Sequence, residues 1–370
     1  MQDEQHTIPR IQHKVLLLLY GENAMGFPQT VSFTITNHCN LRCKMCGQWS
    51  EEGYIKKKRE VLQQTLGLTD WKRLVDEVAA HQIPSVIIRG GEPFMYPGII
   101  ELLEYINFKG LFASIDTNGT LLATYASDLL RIGKIHITVS VDGPEQIHDG
   151  VRGVPGCFKK IEEALLMLDG LEKASANKIS RSICFTISPY SILGLGEMPD
   201  VARRLAIKTL VIVPYNYITQ DLGTCYRKEL QEDLGSTAFS WEGFHHDESG
   251  VSFLEFQNQY QKYLANLGDI YNYPYMPLTE EEYRDWFQDA TLPVKSFPCS
   301  NAERLIDIQP NGDANFCVDT PDYRIGNVKE STLEDLWNNE IAEKFREYRR
   351  KHRLGACYRC VSKYMSEIVN

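Results

Sequence analysis

The stretch Val31-Ser32-Phe33-Thr34-Ile35-Thr36-Asn37-His38-Cys39-Asn40-Leu41-Arg42-Cys43-Lys44-Met45-Cys46 joins two signals. Val31 to Thr36 alternates and is rich in β-branched side chains, which marks a strand. The loop after it carries Cys39, Cys43 and Cys46 in a C-x3-C-x2-C spacing. Three thiolates on one short loop can surround one face of a metal centre. A structural zinc ion would want a fourth ligand. An iron–sulfur cubane held by three cysteines leaves one iron open.

Outward from this strand, strand-like and helix-like segments alternate. The patterning predicts further strands at Ser85–Arg89, Leu111–Asp116, Ile135–Val141, Arg181–Ile187 and Thr209–Val213. Helices are predicted over Thr69–His81, Pro97–Phe108, Leu121–Ile132, Phe158–Leu171 and Pro199–Leu205, with Thr69 or Asp70 as the first N-cap. Most of the strands read as nearly continuous apolar runs, the pattern of a parallel sheet covered by helices. Six strands are two short of a complete eight-stranded barrel. One apolar helix-like stretch, Ile11–Tyr20, precedes the series.

After Val213 the rhythm breaks. Residues 215–297 carry 17 of the chain's 39 aromatic residues, among them Tyr217, Trp241, Phe244, Tyr260, Tyr271, Tyr273, Trp286 and Phe287. They read either as core-packing aromatics or as a lid or wall over a substrate pocket. His245 and His246 read as a solvated loop pair. From Phe297 a compact module follows: strands Leu305–Gln309 and Ala314–Val318 joined by the turn Pro310-Asn311-Gly312-Asp313, then a helix capped by Ser331 or Thr332 and running to about His352. This module holds a second cysteine group, Cys299, Cys317, Cys357 and Cys360. The organisation read from the sequence is thus an N-terminal extension (1–30), a barrel (31–214), an aromatic insertion or linker (215–297) and a cysteine-bearing domain (298–370).

Composition narrows the function. The chain has 370 residues, 43% of them hydrophobic, and a formal net charge of -10. That charge argues against a nucleic-acid binder. The apolar run Val15–Tyr20 is too short to span a bilayer, and Met1–Gln5 lacks the basic start of a signal peptide, so a cytoplasmic location is expected. Ten cysteines in such a chain point to metal or redox chemistry rather than disulfides. Cys157 and Cys184 read as packing residues. Cys225 reads as a buried apolar thiol or as a weak candidate hydrogen-atom donor.

The triplet, with Met45 before its last cysteine, resembles the signature of radical S-adenosylmethionine (SAM) enzymes. That resemblance implies an α/β fold, a partial (β/α)6 TIM-like barrel. It implies a [4Fe–4S] cluster on Cys39, Cys43 and Cys46 whose open iron binds SAM, and a 5′-deoxyadenosyl radical that takes a hydrogen atom from a substrate. Further segments resemble family elements. Gly90, Gly91 and Glu92 of Arg89-Gly90-Gly91-Glu92-Pro93 would let backbone approach SAM and accept from its ammonium. Asp116-Thr117-Asn118-Gly119-Thr120 would be a structural turn. Ser140 and Asp142 would lie at the SAM site, with Ser140 on its ribose or carboxylate. Arg152 of His148-Asp149-x-x-Arg152-Gly153, near Gly156, would pair with its carboxylate, where a glycine-rich helix start suits an anion. Thr186, Ser188 and Val213-Pro214 are weaker SAM contacts.

The second group resembles the auxiliary-cluster (SPASM) domains of the same enzymes, in the shortened, four-cysteine twitch form. Four cysteines would saturate an auxiliary [4Fe–4S] cluster, which would then accept or relay an electron; a structural four-cysteine zinc site is the other reading. The implied activity is oxidation, epimerisation or peptide or cofactor maturation on an unidentified small molecule or peptide. Sugar or aminocyclitol alcohols, ribosomal peptides and tetrapyrroles are the candidates. Flavodoxin or ferredoxin would be the electron donor. A non-catalytic iron–sulfur electron-transfer protein is the competing class, disfavoured by the SAM-site elements.

Overall fold

The computed structural model describes residues 26–276, 278–293 and 299–362; Ile11–Tyr20 and Phe297 lie outside them. Strands β1 (Thr30–Thr34), β2 (Ser85–Arg89), β3 (Phe112–Thr117), β4 (Ile135–Ser140), β5 (Ser180–Ile187) and β6 (Thr209–Pro214) lie in sequence order and pair in parallel. Helices α1 (Leu68–Ala80), α2 (Ile99–Phe108), α3 (Leu122–Ile132), α4 (Glu145–Arg152), α5 (Cys157–Lys173) and α6 (Met198–Arg204) alternate with them. This is the partial (β/α)6 barrel that the sequence predicts. Helix α1 starts earlier than expected. Its N-cap is Gly67 rather than Thr69 or Asp70, and the Asp70 carboxylate accepts the Gly67 N–H at 3.0 Å.

The strands are not apolar on both faces. Val31, Phe33, Val86, Ile88, Ile115, Ile137 and Phe185 join one core with Trp71, Leu102, Leu129 and Phe158 from the helices. Burying each such side chain contributes ~1.5–3 kcal/mol, so the outer face holds the sheet together. The alternate residues, including Arg89, Ser114, Asp116, His136, Thr138, Ser182 and Cys184, line an internal cavity of about 330 Å³. Among the described residues no element fills the inside of the barrel, so these positions tolerate polar side chains.

The sheet extends beyond six strands. Strand β7 (Tyr271–Tyr273) adds to β6, and β8 (Leu305–Ile308) adds to the other edge beside β1, both in parallel. Strands β9 (Asp313–Asn315) and β10 (Gly326–Asn327) follow antiparallel on β8. The C-terminal cysteine module is therefore sheet-continuous with the barrel. Its long helix is also divided: α10 (Leu333–Asn338) begins after the Thr332 cap, and Asn339 caps α11 (Glu340–Lys351). These two are numbered after α7 (Gln220–Glu229), α8 (Phe253–Asn266) and α9 (Glu280–Gln288) of the aromatic insertion.

Most insertion aromatics are core: Tyr217, Tyr226, Trp241, Phe256, Tyr263 and Trp286 are at most 2% exposed. Phe244, Tyr271, Tyr273 and Tyr275 instead form cavity walls, so each sequence reading holds for a different subset. The insertion is pinned to the C-terminal module by two buried charges. Arg359, 1% exposed, donates to the carbonyls of Asp285 (2.9 Å), Trp286 (3.1 Å) and Leu292 (2.6 Å), and to that of Asp289. Asp322 accepts from the Tyr226 and Ser240 hydroxyls and from the Phe239 and Ser240 N–H groups. Among the described residues, no helix is long and apolar enough to cross a membrane.

Replacing Arg359 with Met removes these charge-assisted hydrogen bonds, while the Asp289 N–H, the Tyr217 hydroxyl and the Leu292 N–H still donate to the Asp285, Trp286 and Asp289 carbonyls. A hydrogen bond to a charged group contributes about 1.5–3 kcal/mol, so the variant should lose about 2–3 kcal/mol in urea unfolding. A midpoint within error of wild type would show that Arg359 is not the tie.

Candidate SAM and iron–sulfur sites

The cysteine loop is built by backbone contacts. Past the end of β1, Ile35 N–H donates to the Arg89 carbonyl (2.9 Å), Gly91 N–H to Thr36 (2.7 Å) and Glu92 N–H to His38 (2.7 Å). A Cβ on Gly90 would meet the Thr36 carbonyl oxygen at 2.5 Å, and one on Gly91 the His38 oxygen at 2.3 Å. The glycines thus admit the cysteine loop itself. On the other side, Arg42 and Lys44 N–H groups donate to the Arg152 and Val151 carbonyls at the end of α4.

Glu92 is fully buried and ties the third element in: it accepts from the Thr117 hydroxyl (2.7 Å), Asn118 N–H (2.8 Å) and Phe94 N–H (3.1 Å). Burial pushes its carboxyl up to about 7, against those hydrogen bonds. Asn118 in turn donates to Asn40 at 2.8 Å, so the Thr117-Asn118-Gly119 turn braces the loop. Asp142, also fully buried, pairs with Arg152 at 2.6 Å and accepts the Thr186 N–H. Arg152 also reaches the Cys43 sulfur at 3.6 Å. Its partners here are therefore Asp142 and the cysteine loop.

The helix start expected to receive an anion has one of its own. Asp149 accepts the N–H groups of Gly156 (2.5 Å) and Phe158 (2.9 Å) and the Cys157 thiol (3.1 Å) at the beginning of α5. With His148, Asp149 and Cys157 form the group of three metal-binding side chains within 4.8 Å of one another among the described residues. Because the carboxylate is engaged as a cap, and His148 Nδ1 accepts the Asp142 N–H, this cluster is a latch of the fold.

Met45, Cys46, Gly90, Ser140, Thr186, Val213 and Pro214 line one cavity of about 330 Å³ at the carboxyl ends of the strands, with Tyr54, Tyr215 and Phe244 as its aromatic wall. Gly91, Glu92, Asp142 and Arg152 stand outside that lining and build the loop beside it. Ser188 is buried in a hydrogen-bonded pair with Ser191. A second void, about 40 Å³, lies among Cys299, Cys317, Cys357 and Cys360.

Both cysteine sets suit a metal centre. Burial, with neighbouring thiols adding to it, pushes Cys39 up to about 12 and Cys46 to about 11 and raises Cys317; burial and the Asp142 carboxylate raise Cys43. A bound metal reverses that penalty by stabilising the thiolates.

Two thiols change places relative to the sequence reading. Cys225 is exposed on α7 and lines none of these cavities, which removes the geometric basis for hydrogen-atom donation. Cys184, read as packing, faces the barrel cavity opposite Ser140. The signal for it was the period of two along β5, which puts Ser180, Ser182 and Cys184 on one face. Arg89, in the same cavity, pairs with Asp116 at 3.3 Å.

Comparison with known proteins agrees with this geometry. Residues 33–186 match the model of the radical SAM superfamily, and residues 299–361 that of an iron–sulfur cluster-binding (SPASM) domain. The chain carries a radical SAM domain over residues 33–186 and a SPASM-type iron–sulfur cluster-binding domain over residues 299–361. Proteins of this kind use SAM, a [4Fe–4S] cluster and an auxiliary cluster. The chain is 29% identical over 229 residues to Fe-coproporphyrin III synthase of Methanosarcina barkeri, covering 59% of this chain and 53% of that one. It is 22% identical to the antilisterial bacteriocin subtilosin biosynthesis protein AlbA of Bacillus subtilis, over 88% of this chain and 62% of AlbA. It thus spans roughly half to three fifths of these curated relatives. In fold it is similar to Streptococcus suis SuiB bound to SAM, with a TM-score of 0.62 at 16% identity, over 95% of this chain and 75% of SuiB.

A Gly91→Ala variant should push the His38 backbone away, cost about 1–3 kcal/mol, and drop bound iron from about eight to about four per chain. Full iron in that variant would show that the loop has room. His136, held between the Ser180 and Ser182 hydroxyls at 2.9 Å each, is lowered to about 4 by burial. Between pH 6.5 and about 4 the unfolded chain binds the extra proton at His136, so this residue contributes a loss of stability in the metal-free protein as pH falls through that window, opposed by Glu92, whose raised carboxyl takes up its proton in the folded state below about 7. His136→Asn should remove that loss, so the variant gains on the wild type as pH falls in urea titrations; a pH-independent difference refutes the assignment.

Proposed function

We propose that this protein is a radical SAM enzyme that modifies a peptide. In this reading Cys39, Cys43 and Cys46 hold the SAM-binding cluster, and Cys299, Cys317, Cys357 and Cys360 hold the auxiliary one. The observation that carries the reading is the pairing of a three-cysteine loop on a 330 Å³ cavity with a separate four-cysteine void, both in one continuous sheet. The bound cluster and SAM would supply one-electron cleavage of SAM and hydrogen-atom abstraction from the substrate.

The chain's own residues have distinct tasks. Met45, Gly90, Ser140 and Thr186 would seat SAM from the cavity wall, while Gly91, Glu92, Asp142 and Arg152 hold the cysteine loop in place. Phe244 packs directly on Gly47, where a Cβ would meet its ring at 2.2 Å, so the insertion walls the cavity beside Cys46. The peptide reading is supported by the similarity to AlbA, which extends over both the barrel and the auxiliary domain. A tetrapyrrole substrate is the second reading, favoured by the higher identity to Fe-coproporphyrin III synthase. A cytoplasmic setting and a flavodoxin or ferredoxin donor belong to the same proposal.

Reconstituted anaerobically with dithionite and SAM, the protein should release 5′-deoxyadenosine. Cys39→Ala/Cys43→Ala/Cys46→Ala should abolish release and retain about half the iron. No release from a fully iron-loaded sample would overturn the enzyme reading. Stimulation by iron coproporphyrin III, in place of short peptides encoded beside the gene, would favour the second substrate.

A further inference from the structure

The void among the four C-terminal cysteines is also lined by Arg349. Arg349 sits in the last turn of α11, is 4% exposed, and donates from Nη1 to the His352 carbonyl. The charges that act most strongly on it are those of Cys357, Cys299, Cys317 and Cys360, which together favour its charged form against burial. Two further arginines line the void: Arg359, committed to the carbonyls of the insertion, and Arg353, whose guanidinium lies 5.7 Å from the centre of the Tyr358 ring. The carboxylate in the lining is Asp319, which accepts from Asn216 and Ser362.

Four thiolates around a [4Fe–4S]2+ core leave a net charge of about -2, in a pocket with little water to screen it. One more electron makes that about -3. A guanidinium fixed in the lining of the same void stabilises the reduced form more than the oxidised one. We propose that Arg349 is the counter-cation of the auxiliary centre and raises its reduction potential, so that this site is poised to accept an electron. The proposal rests on the two-cluster reading above and assigns a positioning role to Arg349, not contact with substrate.

The test is an EPR-monitored potentiometric titration of the full-length, iron-loaded protein, taking as auxiliary the signal that SAM leaves unchanged. In Arg349→Met, the reduced-to-oxidised ratio of that signal at a fixed potential should fall about tenfold or more, equivalent to about 59 mV for one electron. Arg349→Lys, which keeps the charge, should stay close to wild type. Equal potentials in wild type and Arg349→Met overturn the proposal. If Arg349→Met fails to retain the auxiliary iron while Arg349→Lys retains it, the charge requirement is upheld. If both lose it, the side chain's shape matters and the proposal falls. A wild-type protein with one signal and about four irons overturns the two-cluster reading itself, an outcome separable from the others.

Discussion

The site depends on three backbone hydrogen bonds beyond the end of the β1–β2 ladder: Ile35 to Arg89, Gly91 to Thr36 and Glu92 to His38. They carry strand pairing into what would otherwise be loop, and so place Cys39 a few residues past a fixed point. Backbone can approach backbone this closely only without a Cβ at positions 90 and 91. Everything else around the loop buttresses this contact. Glu92 reaches from the glycines to the Asn118 turn, Asn118 reaches back to Asn40, and the end of α4 closes the far side. A metal-binding loop built from flexible side chains alone would have to order itself at the moment of binding. Here most of that ordering is part of folding.

The second organising feature is the division of labour between the two faces of the strands. Outward residues are apolar and locked under helices; inward ones around the cavity mix hydroxyls, one ion pair, His136 and Cys184 with Ile87, Val211 and Val213. Buried polar groups are tolerated there because they find partners, as His136 does with two serines. The same alternation carries Ser140 and Thr186 upward to the cavity beside Cys46. One sheet therefore provides stability on one face and chemistry on the other.

Much of the site was legible in the sequence because it is local. The C-x3-C-x2-C spacing, the Gly90-Gly91-Glu92 segment and the Cys357-x2-Cys360 pair sit within a few residues of each other, so their meaning survives without coordinates. Partners far along the chain were not legible in the sequence. Arg152 turned toward Asp142 and Cys43, Asp149 filled the helix start expected to bind an anion, and Cys225 proved exposed while Cys184 faced the cavity. In each case the deciding neighbour is on another element.

By itself, the sequence determined the alternation of strands and helices, the two cysteine groups and the family they resemble, because period, spacing and residue chemistry are properties of short segments. Only the tertiary structure decided that β8 of the C-terminal module joins the barrel beside β1, that Arg359 and Asp322 bind the aromatic insertion to that module, and that Arg349 is buried against four thiols. These are contacts between segments separated by tens to hundreds of residues. They are fixed by which surfaces can be buried together with their charges and hydrogen bonds satisfied, a condition on the whole chain that no window of sequence contains.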